Sequence, residues 1–256
     1  MGTAISVDVR GDVRDAAIPL AVARVFDWFR WVDETFSTYK TDSQISRLRR
    51  GDLTARECDD LVRWVLDRCE EVREATGGFF DARASGTLDP SGLVKGWSVE
   101  VASQMLAEAG SNNHCINAGG DIRMRGTPGG GRPWRVGISH PLTPDRLTVI
   151  VTGHELAVAT SGTAARGPHV IVPLSHRPAG ALASVTVVGP DLTMADSHAT
   201  AAMAMGFDAP RWLARLPAHE AYLIDASGDA SWTAGFPRHA PALATMPQPR
   251  LASGAT

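Results

Sequence analysis

Thr87-Leu-Asp-Pro-Ser-Gly-Leu-Val-Lys-Gly96 sets one lysine among glycines, and Asn117-Ala-Gly-Gly-Asp121 follows about twenty residues later. Glycines let a backbone approach a ligand and turn its N–H groups toward negative oxygens, while a lysine at the opening of a helix adds a full charge to the helix dipole. The two segments therefore read as a phosphate-holding site. Neither a P-loop nor a dinucleotide fingerprint fits, because there is no G-x-x-x-x-G-K-[ST] and Asn117-Ala-Gly-Gly lacks the G-x-G-x-x-G spacing. Further on, Asp196 and Thr200 stand four apart in Ala195-Asp-Ser-His-Ala-Thr200, so on a helix they project from one face. A carboxylate and a hydroxyl so placed suit Mg²⁺, which takes oxygen ligands and completes its shell with substrate phosphates. The same spacing also fits a helix start capped by Asp196, and spacing alone leaves both readings standing. His169, in Gly167-Pro-His-Val-Ile-Val172, has the chemistry of a general base or of an ordinary structural histidine, one of eight in the chain. Tyr39 suits a planar ring stacked on it as well as a half-buried place beside a loop.

These residues need elements to carry them. Ile5, Val7 and Val9 alternate as a strand, and Val22, Val25, Phe26, Phe29 and Val32 then recur at helical spacing up to a loop at Thr38 and Tyr39. Thr54-Ala-Arg-Glu57 has the form of a capping box, and Leu61, Val65, Cys69 and Val72 follow on one face until Gly77-Gly78. A third helix is expected from near Lys95, with Val99, Ala102, Leu106 and Ala109 inward and Gly110 ending it. From His114 onward short apolar runs take over: 115–118, 134–138, 147–152, 156–160, 169–172 and 182–188 read as strands. Short helices are expected near Asp196–Met205 and Ala209–Leu216, and a last strand at Ala221–Asp225. Helices in the first half and strands in the second favour an α+β fold. After Pro237 the chain is rich in Pro and Ala without periodicity and is expected to fray.

Composition narrows the function classes. A chain of 256 residues, 44% hydrophobic, can bury a full core, and a net charge of −3 offers no general attraction to nucleic acid or anionic lipid. Cys58, Cys69 and Cys115 form no C-x-x-C pair, which suits a reducing compartment and small buried hydrophobes. The opening Met1-Gly-Thr-Ala-Ile-Ser-Val has no apolar export signal, and no run of about 18 apolar residues appears. The expectation is a cytoplasmic protein without nucleic-acid or membrane partners.

Taken in order, a set of short segments resembles the ApbE family of flavin transferases over roughly residues 1 to 236. They are Met1-Gly-Thr, Phe36-Ser-Thr-Tyr39 with Ser43, Thr76-Gly-Gly-Phe-Phe-Asp81, Leu88-Asp-Pro-Ser-Gly-Leu-Val-Lys-Gly96 and Asn117-Ala-Gly-Gly-Asp121. Ala159-Thr-Ser-Gly162, His169-Val-Ile, Ser184-Val-Thr-Val, and Ala195-Asp196 with Ala199-Thr200 complete the series. Shared order and spacing, more than any one segment, carry the likeness.

The resemblance implies a Mg²⁺-dependent FAD:protein FMN transferase, which cleaves FAD at its pyrophosphate, releases AMP and attaches FMN to Thr or Ser of an acceptor protein. It implies a T-fold-like α+β architecture of two fused lobes with FAD between them, spanning residues 1–236, with 237–256 as a poorly ordered tail. On the same grounds Asp196, Thr200 and the Gly92 carbonyl would ligate Mg²⁺. Met1, Thr38, Tyr39, Phe80, Asp81, Lys95, Asn117, Gly119, Gly120, Ser161 and Gly162 would line the FAD site, and His169 would be the base for the acceptor hydroxyl. One departure stands out: the family reads His-x-Ile-Asp-Pro and then a Thr-Gly turn, whereas here Val172 replaces the acid and His176 the glycine. Valine accepts no hydrogen bond. That departure opens a second reading, an FAD pyrophosphatase yielding FMN and AMP, beside a third, a non-catalytic FAD-binding protein. The acceptor would be another polypeptide, a flavoprotein with a Thr/Ser flavinylation motif, because family targets carry Asp-Gly ahead of the modified residue and this chain has no Asp-Gly dipeptide.

Overall fold

Alternating Ile5, Val7 and Val9 place β1 (Ile5–Val9) at the edge of a seven-stranded sheet, and the rest of the fold covers the two faces of that sheet. The computed structural model describes residues 3–11, 17–143, 145–164, 167 and 170–246. In chain order β1 is followed by α1 (Ala17–Phe36), α2 (Gln44–Arg50), α3 (Asp60–Ala75), α4 (Ser91–Glu108), β2 (His114–Ala118) and β3 (Asp121–Arg125). Then come β4 (Trp134–Ser139), β5 (Leu147–Gly153), β6 (Leu156–Gly162), β7 (Ile171–Val172), β8 (Arg177–Pro178) and β9 (Leu182–Gly189). The chain closes with α5 (Leu192–Met205), α6 (Ala209–Leu213), β10 (Glu220–Asp225) and β11 (Ala230–Trp232). The fold is α+β, and the main sheet runs β1-β2-β3-β6-β9-β10-β11 with each neighbouring pair antiparallel.

Burial explains the sequence patterns. All eight residues of β9, which lies inside the sheet between β6 and β10, are buried, which is why its sequence holds only apolar and small polar residues and no charge. On one face Val25 and Phe29 of α1, Val99 and Leu106 of α4, and Ala195, Ala199 and Ala202 of α5 meet Ile116, Ala159, Val185 and Val187 of the sheet. The alanines let α5 lie close to the strands, and eleven of its fourteen residues are buried. Such a helix has no polar face to show. The opposite face is covered by the β4–β5 hairpin and the C-terminal segment, through Trp134, Val151, Trp232, Phe236 and Leu243. Beyond the sheet, α2, α3 and the ends of α1 and α4 enclose Phe36, Ile45, Val65, Phe80, Leu93 and Trp97. Trp28 joins this group to the first, packing edge-on to Trp97 at 5.2 Å while its indole N–H donates to the Ser98 carbonyl at 2.9 Å.

Several element boundaries differ from the sequence expectation. The Thr54–Glu57 capping box exists but closes a 3-10 turn, Ala55–Glu57, because Cys58 and Asp59 are extended and delay α3 to Asp60. Helix α4 opens at Ser91, earlier than expected, since Asp89 Oδ1 accepts from the Ser91 amide at 3.0 Å; Lys95 is therefore in its second turn. Helix α5 opens at Leu192 with Asp191 as its cap, Oδ1 accepting from the Met194 amide at 2.9 Å. Asp196 thus lies inside the helix and is not its cap. Helix α2 and strands β3, β8 and β11 had no clear periodic signal, so that β11 follows the strand expected to be the last, and of the strand expected over 169–172 only Ile171–Val172 is formed among the described residues. The tail expected to fray from Pro237 is instead packed as far as Leu243, with Phe236, Ala240 and Leu243 buried and the His239 carbonyl accepting from the Thr152 amide of β5 at 2.7 Å. Residues 247–256 lie outside the described residues. Among the described residues no helix is long and apolar enough to cross a membrane.

His114, at the start of β2, is fully buried between α4 and the loop before β2: Ser103 Oγ lies 2.8 Å from Nε2 and the Ser111 carbonyl 3.0 Å from Nδ1. Burial pushes its pKa from 6.5 down to about 4; the Ser111 hydrogen bond opposes the shift, and Arg125 and Arg123 add to it. Below pH 6.5 the unfolded chain gains a proton that the folded chain refuses. Its contribution is therefore complete above that pH and is lost as the pH falls toward 4, on the order of 3 kcal/mol in all. Urea unfolding at pH 7 and pH 4.5 tests this: His114→Gln is expected to lose less stability between the two than the native chain, and equal losses would show the assignment to be wrong.

Candidate active site

The site is built where α4 crosses α5, and glycine makes the crossing possible. A Cβ on Gly96 would strike the Leu192 carbonyl and come within 2.8 Å of Asp196 Cβ, while one on Gly92 would press on Thr200 and Phe80 at 3.3 Å. Small residues four apart let two helix backbones approach this closely. The approach brings the Gly96 amide within 2.9 Å of Asp196 Oδ2, to which it donates. One turn along α5, Thr200 Oγ1 is 3.4 Å from Ser161 Oγ at the end of β6.

Lys95, the residue before Gly96 on α4, is ion-paired with Asp121 and has Nζ 3.6 Å from Asp196 Oδ1. Asp121 is fully buried and its Oδ1 also accepts from the Thr160 amide at 3.1 Å. Asp196, 2% exposed, has its pKa raised to about 8, first by burial and then by the charge of Asp121, with Lys95 and the Gly96 amide opposing. Two buried carboxylates share one ammonium. The arrangement is therefore short of positive charge, and its donors are carboxylate, hydroxyl and carbonyl oxygens, the set a hard divalent cation takes.

Two segments of the chain, residues 1–86 and 82–223, match the family model described as the ApbE family. The chain belongs to the ApbE family. Its curated relatives include the FAD:protein FMN transferase of Vibrio cholerae, 35% identical over 129 residues, which are 46% of this chain and 39% of that protein. The FAD:protein FMN transferase of Escherichia coli K12 is 29% identical over 155 residues, 56% of this chain and 44% of that protein. The matched stretches thus span less than half the length of these relatives. Among solved structures, the ApbE protein of Thermotoga maritima matches with a TM-score of 0.81 at 20% identity, covering 93% of this chain and 96% of that one. The flavin transferase ApbE of Vibrio cholerae matches at 0.78 and 22%, again over 93% and 96%. At these identities the structural likeness is one of fold.

Against this ApbE frame the residues expected at the site fall into three groups. Gly92, Lys95, Ser161, Asp196 and Thr200 converge, with Phe80 buried behind Gly92. The second group is held by contacts of its own. Arg49 donates from Nη1 to the Thr38 carbonyl at 3.2 Å and bonds the Leu88 carbonyl, tying the Tyr39 turn to the loop before α4. Tyr39 itself is 96% exposed on that turn, so the half-buried alternative does not hold. Asp81 turns its Oδ1 to the Arg83 amide at 2.7 Å, and Gly162 ends β6 beside Ser184. Gly119 and Gly120, both with positive φ (62° and 99°), form the two-residue turn joining β2 to β3, closed by the Asn117 side chain accepting from the Gly120 amide at 2.9 Å. That hairpin accounts for their conformation without any ligand. Met1 and His169, the third group, lie outside the described residues.

Asp121 closes the Asn117–Asp121 motif, whose residue types alone assign it no role. The signal was available, since a charged residue directly after a Gly-Gly hairpin turn must point to one face or the other of a buried strand. In the departing segment, His176 takes the left-handed conformation (φ 53°) that a glycine would adopt freely, and its Nδ1 lies 3.2 Å from the Ala84 carbonyl. Val172, in the position of the family acid, lines a cavity of about 230 Å³ with Met203, Met205 and Phe207. Gly96→Ala is expected to wedge α4 from α5 and lower stability by about 1–3 kcal/mol in urea unfolding. A wild-type midpoint would mean the two helices are not in the contact described.

Proposed function

We propose that this chain is a Mg²⁺-dependent FAD:protein FMN transferase. In this reading the acceptor's Thr or Ser oxygen bonds to the FMN phosphorus, the bond from that phosphorus to the bridging oxygen breaks, and AMP leaves with that oxygen. The observation that carries it is the meeting of Asp196, Thr200, Gly92 and Lys95 at one helix crossing. Asp196, Thr200 and the Gly92 carbonyl would hold the metal, with the Gly96 amide donating to Asp196 Oδ2 beside them. Bound there, Mg²⁺ would withdraw charge from the diphosphate oxygens and so ease attack at phosphorus.

The remaining roles belong to side chains. Lys95, tethered by buried Asp121, is aimed so that its ammonium can neutralise charge on the same diphosphate, a preorganised donor of the kind that stabilises a transition state. Ser161, beside Thr200, would steady that hydroxyl. Thr38, Tyr39, Phe80, Asp81, Asn117, Gly119, Gly120, Gly162 and Met1 would border FAD, with Tyr39 free to stack on a planar ring. His169 would take the proton of the acceptor hydroxyl. A cytoplasmic setting belongs to the same reading and suits three free thiols, at Cys58, Cys69 and Cys115.

Val172 favours one competitor. With an apolar side chain where the family has an acid, His169 has lost a neighbour that could orient it, and water could replace the acceptor, giving FMN and AMP. Incubation with FAD, Mg²⁺ and an acceptor domain separates the two: transfer leaves a covalently fluorescent acceptor, hydrolysis leaves AMP without label. Asp196→Ala is expected to abolish either product, and Lys95→Ala to slow it by about 10²–10³. A chelator should stop the reaction and added Mg²⁺ restore it. Full activity in Asp196→Ala would end this proposal.

A further inference from the structure

We propose that Glu100 is a positioning residue that locks the register of α4 against α5; this rests on the metal reading above, because the register decides whether Gly92, Asp196 and Thr200 can share one ion. Gly92, Gly96 and Glu100 are four apart and share a face of α4. Opposite them, in reverse order and also four apart, come Thr200, Asp196 and Leu192. Gly92 faces Thr200, Gly96 donates to Asp196, and Glu100 Oε2 accepts from the Leu192 amide at 2.9 Å.

A glycine and alanine surface is smooth, and helices packed on such a surface can slip by one turn, about 5.4 Å, at little cost in buried area. Glu100 removes that freedom. Its carboxylate sits at the positive end of α5 and satisfies one of the orphan amides of the first turn. The other oxygen is gripped from β3, by Arg123 Nε at 2.9 Å and Arg125 Nη2 at 3.5 Å. Asp121, the partner of Lys95, lies two residues before Arg123 on that strand. One half-hidden carboxylate, 17% exposed, thus connects the three elements that carry the charged groups of the site. Asp191 caps the Met194 amide independently, so α5 keeps a capped start without Glu100 and what is lost is its place along α4.

Glu100→Gln keeps the size of the side chain but removes its charge. In the full chain, hydrogen exchange over residues 192–200 is expected to rise about tenfold, and the Mg²⁺ concentration giving half of the thermal shift to rise about tenfold, with kcat recovered at saturating Mg²⁺. A wild-type Mg²⁺ midpoint in this variant, with or without a lower melting temperature, would overturn the proposal. Asp196→Asn, measured alongside, tests the metal reading separately: it should abolish the Mg²⁺ shift. If that shift survives in Asp196→Asn the metal reading fails, and exchange over 192–200 alone then decides the lock, a wild-type rate overturning it.

Discussion

The approach of α4 to α5 through Gly92 and Gly96 is the constraint on which the rest depends. Without it the Gly96 amide could not reach Asp196, and a carboxylate so deeply buried would have little to hold its charge. The glycines cost helix stability in isolation, roughly 1 kcal/mol each relative to alanine. What offsets that is packing: α5 is enclosed by the sheet below and α4 above, and its alanines leave room for backbones to draw together. Catalytic potential and core packing are here one arrangement, since the contact that makes the helices fit also makes the oxygen cluster.

Charge follows the same geometry. Along β3, Ile122 and Met124 face the apolar layer under the β4–β5 hairpin, while Asp121, Arg123 and Arg125 face the helices. Each of those three meets a partner on α4: Lys95 for Asp121, and Glu100 for both arginines. Isolated, any one of them would be an expensive burial. Paired, they tie a strand to a helix, and Lys95 of that helix reaches on toward Asp196 of α5.

Much of this could be read from the residues. The Asp196/Thr200 spacing and the lysine before Gly96 were visible, because helical periodicity is a local rule, whereas the glycines before Asp121 read as an anion-holding run and prove to be a hairpin turn. The α+β class followed from helices preceding strands, and the ApbE family from the order of short motifs. Other features were not legible. Helix α2 is seven residues long, too short to show a period, and β3 carries charge on its inward face, so its pattern reads as a polar loop. The tail after Pro237 has no periodicity because its side chains plug single gaps under the sheet, Leu243 among them, instead of lining a face.

By itself, then, the chain offered residue types suited to chemistry and the helices that carry Lys95, Asp196 and Thr200, since those follow from spacing along a backbone of known pitch. Whether Asp196 caps a helix or sits within one turned on where α5 begins, and that is decided by Asp191, whose side chain caps the Met194 amide. The pairing of Lys95 with Asp121, the hydrogen bond from the Gly96 amide to Asp196, and the dual use of Glu100 all join residues far apart in sequence. They exist only because antiparallel packing of two helices on one sheet brings those positions to the same depth and register.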